Sequence, residues 1–157
     1  MFFKKLFAIS LLLILLPGCW DNTSADKNKL LVLNILEPEL YQDCHIAGSV
    51  NVPLEELETY VRDLDLNREL VVYCSNYLCT ASAYAAELLQ KLGFKQVYAY
   101  EAGMAEWRQR GLPTAGPAQQ RYLNIVVALP PESSTNDHKI KIITTEALAA
   151  KMGLKLS

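Results

Sequence analysis

Apolar positions along this chain switch repeatedly between two periods: short β-branched runs alternate with stretches in which apolar residues recur every three or four positions. Leu30-Leu31-Val32-Leu33-Asn34-Ile35 reads as a first strand, closed by Glu37-Pro38, with Glu39-Leu40-Tyr41 as a short turn or helical piece. His45-Ile46-Ala47-Gly48-Ser49-Val50-Asn51-Val52 alternates like a second strand, and Pro53, which has no N–H to give a ladder, stops it. Leu54, Leu57, Val61 and Leu64 then fall at helical spacing, and Glu55 and Glu56 suit the positive end of that helix's dipole. Leu70-Val71-Val72-Tyr73 has the length and composition of a buried strand. From Ala81, the positions Ala85, Leu88, Leu89 and Leu92 trace one face of a helix with Gly93 as a fitting C-cap. Val97-Tyr98-Ala99-Tyr100 and the stretch from Ala102 to Arg110, capped by Gly111, repeat the strand-then-helix order. Repeated βα units predict an α/β fold: a mostly parallel sheet with helices on both faces.

Residues 116–157 add a small C-terminal extension. Tyr122 to Leu129 is apolar and strand-like, Pro130 to His138 is a loop by composition, Lys139 to Ile143 alternates, and Thr145 to Met152 reads as a short helix ending at Gly153. The extension is too short for a domain of its own and is expected to pack on the preceding core or on a partner.

At 157 residues and 51% hydrophobic, the chain can bury one ordinary core. Residues 1–18 stand apart from it. Lys4 and Lys5 precede the apolar run Leu6 to Leu16, which is too short to span a bilayer as a mature helix, and Pro17-Gly18-Cys19 follow. A charged start, a short apolar core and a small residue before the cut describe a secretory signal. Leu16-Pro17-Gly18-Cys19 also looks like a bacterial lipobox, although Pro17 departs from the usual small or aliphatic residue. That resemblance implies lipidation of Cys19, with acyl chains enough for stable anchoring. The expectation is an exported bacterial lipoprotein on the membrane, facing the periplasm or cell surface, and Trp20 in place of an acid favours an outer-membrane destination. An uncleaved anchor or a simple signal peptide is the competing reading. Residues 19–29, polar from Asp21 to Lys29, read as a tether. Cleavage before Cys19 removes two lysines and no acids, taking the formal charge from −2 to −4 with no basic stripe, so nucleic acid is excluded as an expected partner.

With Cys19 assigned to the lipobox, Cys44, Cys74 and Cys79 remain. In an oxidising compartment paired cysteines tend to close, and an odd number leaves one thiol over or paired outside the chain. Cys74 leaves the strand Leu70–Tyr73 at its carboxyl end, where ligands of parallel sheets sit. The segment Cys74-Ser75-Asn76-Tyr77-Leu78-Cys79-Thr80 then enters a helix N-terminus, whose N–H groups and dipole lower a thiol pKa. A buried, inert cysteine is the bland alternative; the strand–loop–helix setting outweighs it. Cys44 and His45 are adjacent on a strand, point to opposite faces, and are poorly placed as a nucleophile–base pair. Trp107 and the tyrosines read as core and surface filler, and His138 as a solvated loop residue.

Residues 30–115 resemble a rhodanese domain. Leu36-Glu37-Pro38-Glu39-Leu40-Tyr41 is similar to the family's early segment, and His45-Ile46-Ala47-Gly48-Ser49-Val50-Asn51-Val52-Pro53 to its first signature. Leu88-Leu89-Gln90-Lys91-Leu92-Gly93-Phe94 and Tyr100-Glu101-Ala102-Gly103-Met104-Ala105-Glu106-Trp107 match its later helix and its final glycine–tryptophan segment. The resemblance implies that Cys74 attacks a small sulfane-sulfur donor such as thiosulfate, holds the sulfur as a persulfide cradled by loop amides, and passes it to a thiol acceptor. It gives His45 a structural role and implies no cofactor. The six residues from Cys74 through Cys79 match the sulfurtransferase loop length; related phosphatases use one residue more, ending in arginine, where Thr80 stands here.

Two departures accompany the match. The arginine usual at the loop's last position is Cys79, and no lysine or arginine lies between Arg68 and Lys91. Losing one charge-assisted contact to an anionic donor costs about 1.5–3 kcal/mol, one to two decades in affinity, so weak thiosulfate activity is expected. Asn34 and Leu36 stand where the family commonly has aspartate and arginine. Cys79 itself has three readings. It is a resolving thiol for a Cys74 persulfide or disulfide, a small apolar residue at the helix start, or a metal ligand. A ring this short adds only about 2 kcal/mol by loop entropy, so a disulfide here would serve redox chemistry. Cys44, His45, Cys74 and Cys79 lack the paired spacing of a zinc knuckle, and no metal is expected. A thiol–disulfide redox protein using Cys74 and Cys79, and a non-catalytic binding module, are the rivals to a sulfur carrier.

Overall fold

The computed structural model describes residues 30–127 and 140–155. The leader, the lipobox with Cys19, the tether and His138 lie outside the described residues. Among those that are described, no helix is long and apolar enough to cross a membrane.

Strand β1 (Leu31–Asn34) is buried throughout, and helix α1 (Pro38–Asp43) starts on a proline whose fixed φ and missing N–H suit a first turn. Strands β2 (His45–Ile46) and β3 (Val50–Asn51) follow. A 3₁₀ turn (Leu54–Glu56) leads into α2 (Leu57–Val61). Next come β4 (Glu69–Tyr73), α3 (Ala81–Lys91), β5 (Gln96–Tyr100), α4 (Gly103–Gln109) and β6 (Thr114–Ala115). After a second 3₁₀ turn (Arg121–Asn124) the described chain resumes with β7 (Lys141–Ile142) and α5 (Thr145–Lys151).

The main sheet has the order β3-β1-β4-β5-β7, every pairing parallel, with Val72 of β4 between Leu33 and Ala99. A strand at the centre of such a sheet is covered on both faces, which is why Leu70-Val71-Val72-Tyr73 is continuously apolar. Leu70, Val72 and Cys74 join the cluster that includes Leu57 and Val61 of α2 and Ala85, Ala86 and Leu89 of α3. Val71 and Tyr73 join the opposite cluster, with Met104 and Trp107 of α4 and Leu148 of α5. Each fully buried leucine of this kind stabilises the fold by about 1.5–3 kcal/mol. Helices therefore cover both faces of a parallel sheet, as the alternating periods predict.

Three segments of the chain resolve differently from, or more sharply than, their patterns. His45 to Val52 is two strands in two sheets. Ser49 N–H donates to the Ile46 carbonyl (2.9 Å) and turns the chain between them. β2 pairs antiparallel with β6, while β3 pairs parallel with β1. The apolar run from Tyr122 is no strand as far as residue 127. Leu123 is buried under α4, and Gln109 Nε2 donates to the carbonyls of Leu123 (3.0 Å) and Ile125 (3.2 Å), groups a strand would have given to a ladder. The sheet edge beside β5 goes instead to β7, through Tyr98–Lys141 and Ala99–Ile142. Residues 140–155 thus pack on the core. Thr144 caps α5 by accepting from Ala147 N–H (3.2 Å), Leu148 and Ala149 are buried, and Lys151 pairs with Glu69 at the start of β4 (2.6 Å).

Candidate active site

Cys74 is the first residue beyond the central strand, fully buried, and its loop is held from two sides. Asn76, itself buried, organises the turn: its side-chain oxygen accepts from Leu78 N–H (3.0 Å) and its carbonyl accepts from Cys79 N–H (2.9 Å). This Asx geometry is local and follows from the residue type. On the other side, the first turn of α4 donates into the loop, Met104 N–H to the Cys74 carbonyl (3.0 Å) and Ala105 N–H to the Ser75 carbonyl (2.9 Å). The approach is so close that a Cβ on Gly103 would stand 2.7 Å from the Cys74 carbonyl oxygen and 2.8 Å from Asn76 N. Gly103 also holds φ +64°, where an L side chain is strained.

The two loop cysteines touch. The Cys74 thiol donates to the Cys79 carbonyl oxygen (3.3 Å), and Ser82 Oγ lies 3.8 Å from the same sulfur. The neighbouring Cys74 side chain, and after it the backbone N–H groups of Ala81 and Ser75, favour the Cys79 thiolate, outweigh its partial burial and bring its pKa from 9.0 down to about 6. Cys74 moves the opposite way: its hydrogen bond to Cys79, its burial and the neighbouring sulfur's charge all hold the proton on. The lowering that the sequence assigns to Cys74 therefore falls on Cys79. Cys74 sits at the floor of the loop and donates, whereas Cys79, half-exposed at the start of α3, collects the N–H groups. Of the two thiols, Cys79 is therefore pushed towards the thiolate and Cys74 away from it.

Tyr77, one of the loop residues singled out in the sequence, ties the loop to its surroundings. Its hydroxyl donates to Glu106 of α4 (2.9 Å), whose other carboxylate oxygen accepts from Thr145 of α5 (2.6 Å). Thr145 in turn bonds Tyr100 at the end of β5 (2.9 Å), and Arg110 pairs with Glu106 (3.4 Å) and Glu146 (3.2 Å). The C-terminal extension is thereby linked to the loop through one carboxylate. A cleft of about 420 Å³ opens here, lined by Tyr77, Glu106, Arg110, Ile142 and Thr145 among others. Leu78 and Thr80 are on the exposed rim, Leu78 at 72%.

Cys44 and His45 do not join this site. Cys44 is buried in the cluster on the opposite face of the sheet, where desolvation pushes its thiol up, and His45 stacks on Tyr41 with Nδ1 2.7 Å from the Tyr41 carbonyl. Cys44, Cys74 and Cys79 are all free thiols. Among the described residues, no three His, Cys, Asp or Glu side chains converge in a way that could hold a metal ion. Asn34, where an aspartate is usual, closes the β1 turn by accepting from Leu36 N–H (2.9 Å). Ser82, Gly103 and Glu106 are site residues that the sequence reading passed over; the last two lie inside the glycine–tryptophan segment already singled out there.

A parallel sheet with helices on both faces and a cysteine loop at the carboxyl end of its central strand is the architecture of a rhodanese-like domain, and the comparisons agree with it. The Rhodanese-like domain family matches residues 20–110, and the chain belongs to that family. It is 35% identical over 78 residues to the thiosulfate sulfurtransferase GlpE of Pseudomonas fluorescens, covering 50% of this chain and 70% of that one. It is 31% identical over 88 residues to the HTH-type transcriptional regulator Rv0324 of Mycobacterium tuberculosis, covering 56% of this chain but only 38% of the relative. The crystal structure of the Rhodanese_3 like domain of the Alr3790 protein from Anabaena sp. superposes with a TM-score of 0.51 at 27% identity, over 55% of this chain and 92% of that one.

Proposed function

We propose that this protein carries sulfane sulfur as a persulfide on Cys74, taking it from a small donor and giving it to a thiol acceptor. The observation that carries this reading is Cys74 Sγ at the floor of a six-residue loop, 3.3 Å from the carbonyl oxygen of Cys79, whose lowered thiol is the group able to take its proton. With thiosulfate as donor, the Cys74 proton passes to the Cys79 thiolate as Cys74 Sγ attacks the outer sulfur. The donor's S–S bond breaks and sulfite leaves with the electron pair. The N–H groups of Ser75 and Ala81, which face the Cys79 sulfur in the resting site, are placed to receive the negative charge of the persulfide. Turnover with thiosulfate is slow, because Cys79 replaces the cation that would hold the dianion. Export and membrane attachment through lipidated Cys19 complete the proposal, resting on the lysine-led apolar run that ends at Leu16-Pro17-Gly18-Cys19.

The test is intact mass spectrometry of the chain before and after inorganic polysulfide or thiosulfate. The protein gains one sulfur that cyanide removes, and Cys74→Ser abolishes the gain. An adduct that survives Cys74→Ser refutes the assignment.

A further inference from the structure

We infer that Cys79 resolves the Cys74 persulfide, closing a Cys74–Cys79 disulfide and releasing hydrosulfide, so that the site couples sulfur uptake to a thiol–disulfide cycle. The inference rests on the carrier reading above and adds a second reactive residue and a second product to it.

The loop is built to keep the two cysteines together. Asn76 draws Leu78 and Cys79 back over the strand end through its side-chain oxygen and its carbonyl. Met104 and Ala105 pin the Cys74 and Ser75 carbonyls from the other side. The Cys74 thiol is thereby held against Cys79, donating to its carbonyl oxygen at 3.3 Å. Cys44 cannot compete, since it is buried on the opposite face of the sheet. Cys79 is also half-exposed, whereas Cys74 is fully buried, so the sulfur that must meet a reductant is the accessible one.

The chemistry balances without an outside oxidant. After sulfur uptake, Cys79 holds the proton received from Cys74, and Cys74 carries a persulfide anion. The Cys79 sulfur attacks Cys74 Sγ, the bond from Cys74 to the sulfane sulfur breaks, and the proton of Cys79 leaves with that sulfur as hydrosulfide. Two thiol sulfurs are oxidised to a disulfide and one sulfane sulfur is reduced. A dithiol reductant then reopens the disulfide and resets the site. A cation at position 79 would hold the persulfide; a thiol consumes it.

The experiment uses the full chain, reduced and desalted, mixed with inorganic polysulfide in limiting amount, with sulfide assayed and the protein mapped by mass spectrometry. The wild type is expected to lose two hydrogens, to show a linked Cys74–Cys79 peptide, and to release sulfide stoichiometrically. Dithiothreitol should restore its capacity for another round. Cys79→Ala, which loads more slowly for want of the proton acceptor, should then hold the sulfur on Cys74, with sulfide release at least tenfold lower per sulfur bound; Cys79→Ser serves as the isosteric check on folding. If wild type and Cys79→Ala hold the same lasting adduct on Cys74 and no linked peptide forms, the resolving role is overturned and the carrier reading stands. If neither takes up sulfur at Cys74, the carrier reading falls and this inference falls with it.

Discussion

Replacing Gly103 by alanine tests whether the loop is shaped by α4 or merely lies near it. Two costs add at this position. The backbone holds φ +64°, which strains an L residue by about 1–2 kcal/mol. The new Cβ would also stand 2.7 Å from the Cys74 carbonyl oxygen and 2.8 Å from both Asn76 N and the Ser75 carbonyl carbon. These neighbours are backbone atoms tied down by the bonds from Met104 and Ala105, so they cannot swing away as a flexible side chain would. Forcing extra volume into packing of this kind costs about 1–3 kcal/mol. The stiffer unfolded chain returns less than about 1 kcal/mol, leaving a net destabilisation of about 2–4 kcal/mol. With a urea m-value of about 1–3 kcal/mol/M, the midpoint should fall by about 1–2 M. Gly111→Ala is the control. Its φ of +69° matches, but a Cβ there meets nothing within 4 Å, so it should show the conformational cost alone. Equal losses in the two variants would refute the overlap argument, and a loss below about 0.5 kcal/mol at Gly103 would refute both parts of it.

Four further outcomes are expected. Alkylation by iodoacetamide should label Cys79 ahead of Cys74, its rate rising through a midpoint near pH 6 instead of 9.0, and a midpoint left near 9 would remove the assignment of the first thiolate to Cys79. Because the folded pKa of Cys79 lies below its ordinary value, that ionisation adds stability as pH climbs from about 6 towards 9.0 and loses it as pH falls back through 6. The raised Cys74 thiol works against folding only above 9.0, so a stability profile across pH 6–9 should rise in the wild type and flatten in Cys79→Ala. Cys79→Arg should raise thiosulfate turnover by about one to two decades, mainly through a lower KM, since one charge-assisted contact is restored to an anionic donor and the guanidinium, in place of the Cys79 proton acceptor, favours the Cys74 thiolate directly; unchanged KM with sulfite release measured directly would count against that account. Cys19→Ala should leave the protein misprocessed or released from membranes on fractionation, and an unchanged mature mass and unchanged partitioning would argue against lipidation.

Much of this fold is legible in the chain because it depends on local order. A strand buried on both faces must be continuously apolar, and a helix covering it must be apolar every third or fourth residue. Hence Leu70–Tyr73, the helical face from Ala81, and the βα repeat could be read without coordinates, as could the placing of Cys74 at a strand end. Asn76 is a turn residue by its own chemistry. The tertiary structure decided what depends on meeting. Whether His45–Val52 makes one strand or two turns on the distant partners β1 and β6. Whether the apolar run at Tyr122 or the weaker alternation at Lys141 takes the sheet edge turns on which carbonyls Gln109 has already claimed. The bond from Tyr77 through Glu106 to Thr145 joins residues far apart in the chain. The largest reversal is at the thiols. Sequence places both in one electropositive loop, but their charges depend on which sulfur donates, which is buried and which collects the N–H groups. Those are matters of a few tenths of a nanometre, set by how α4 presses the loop against the end of the central strand.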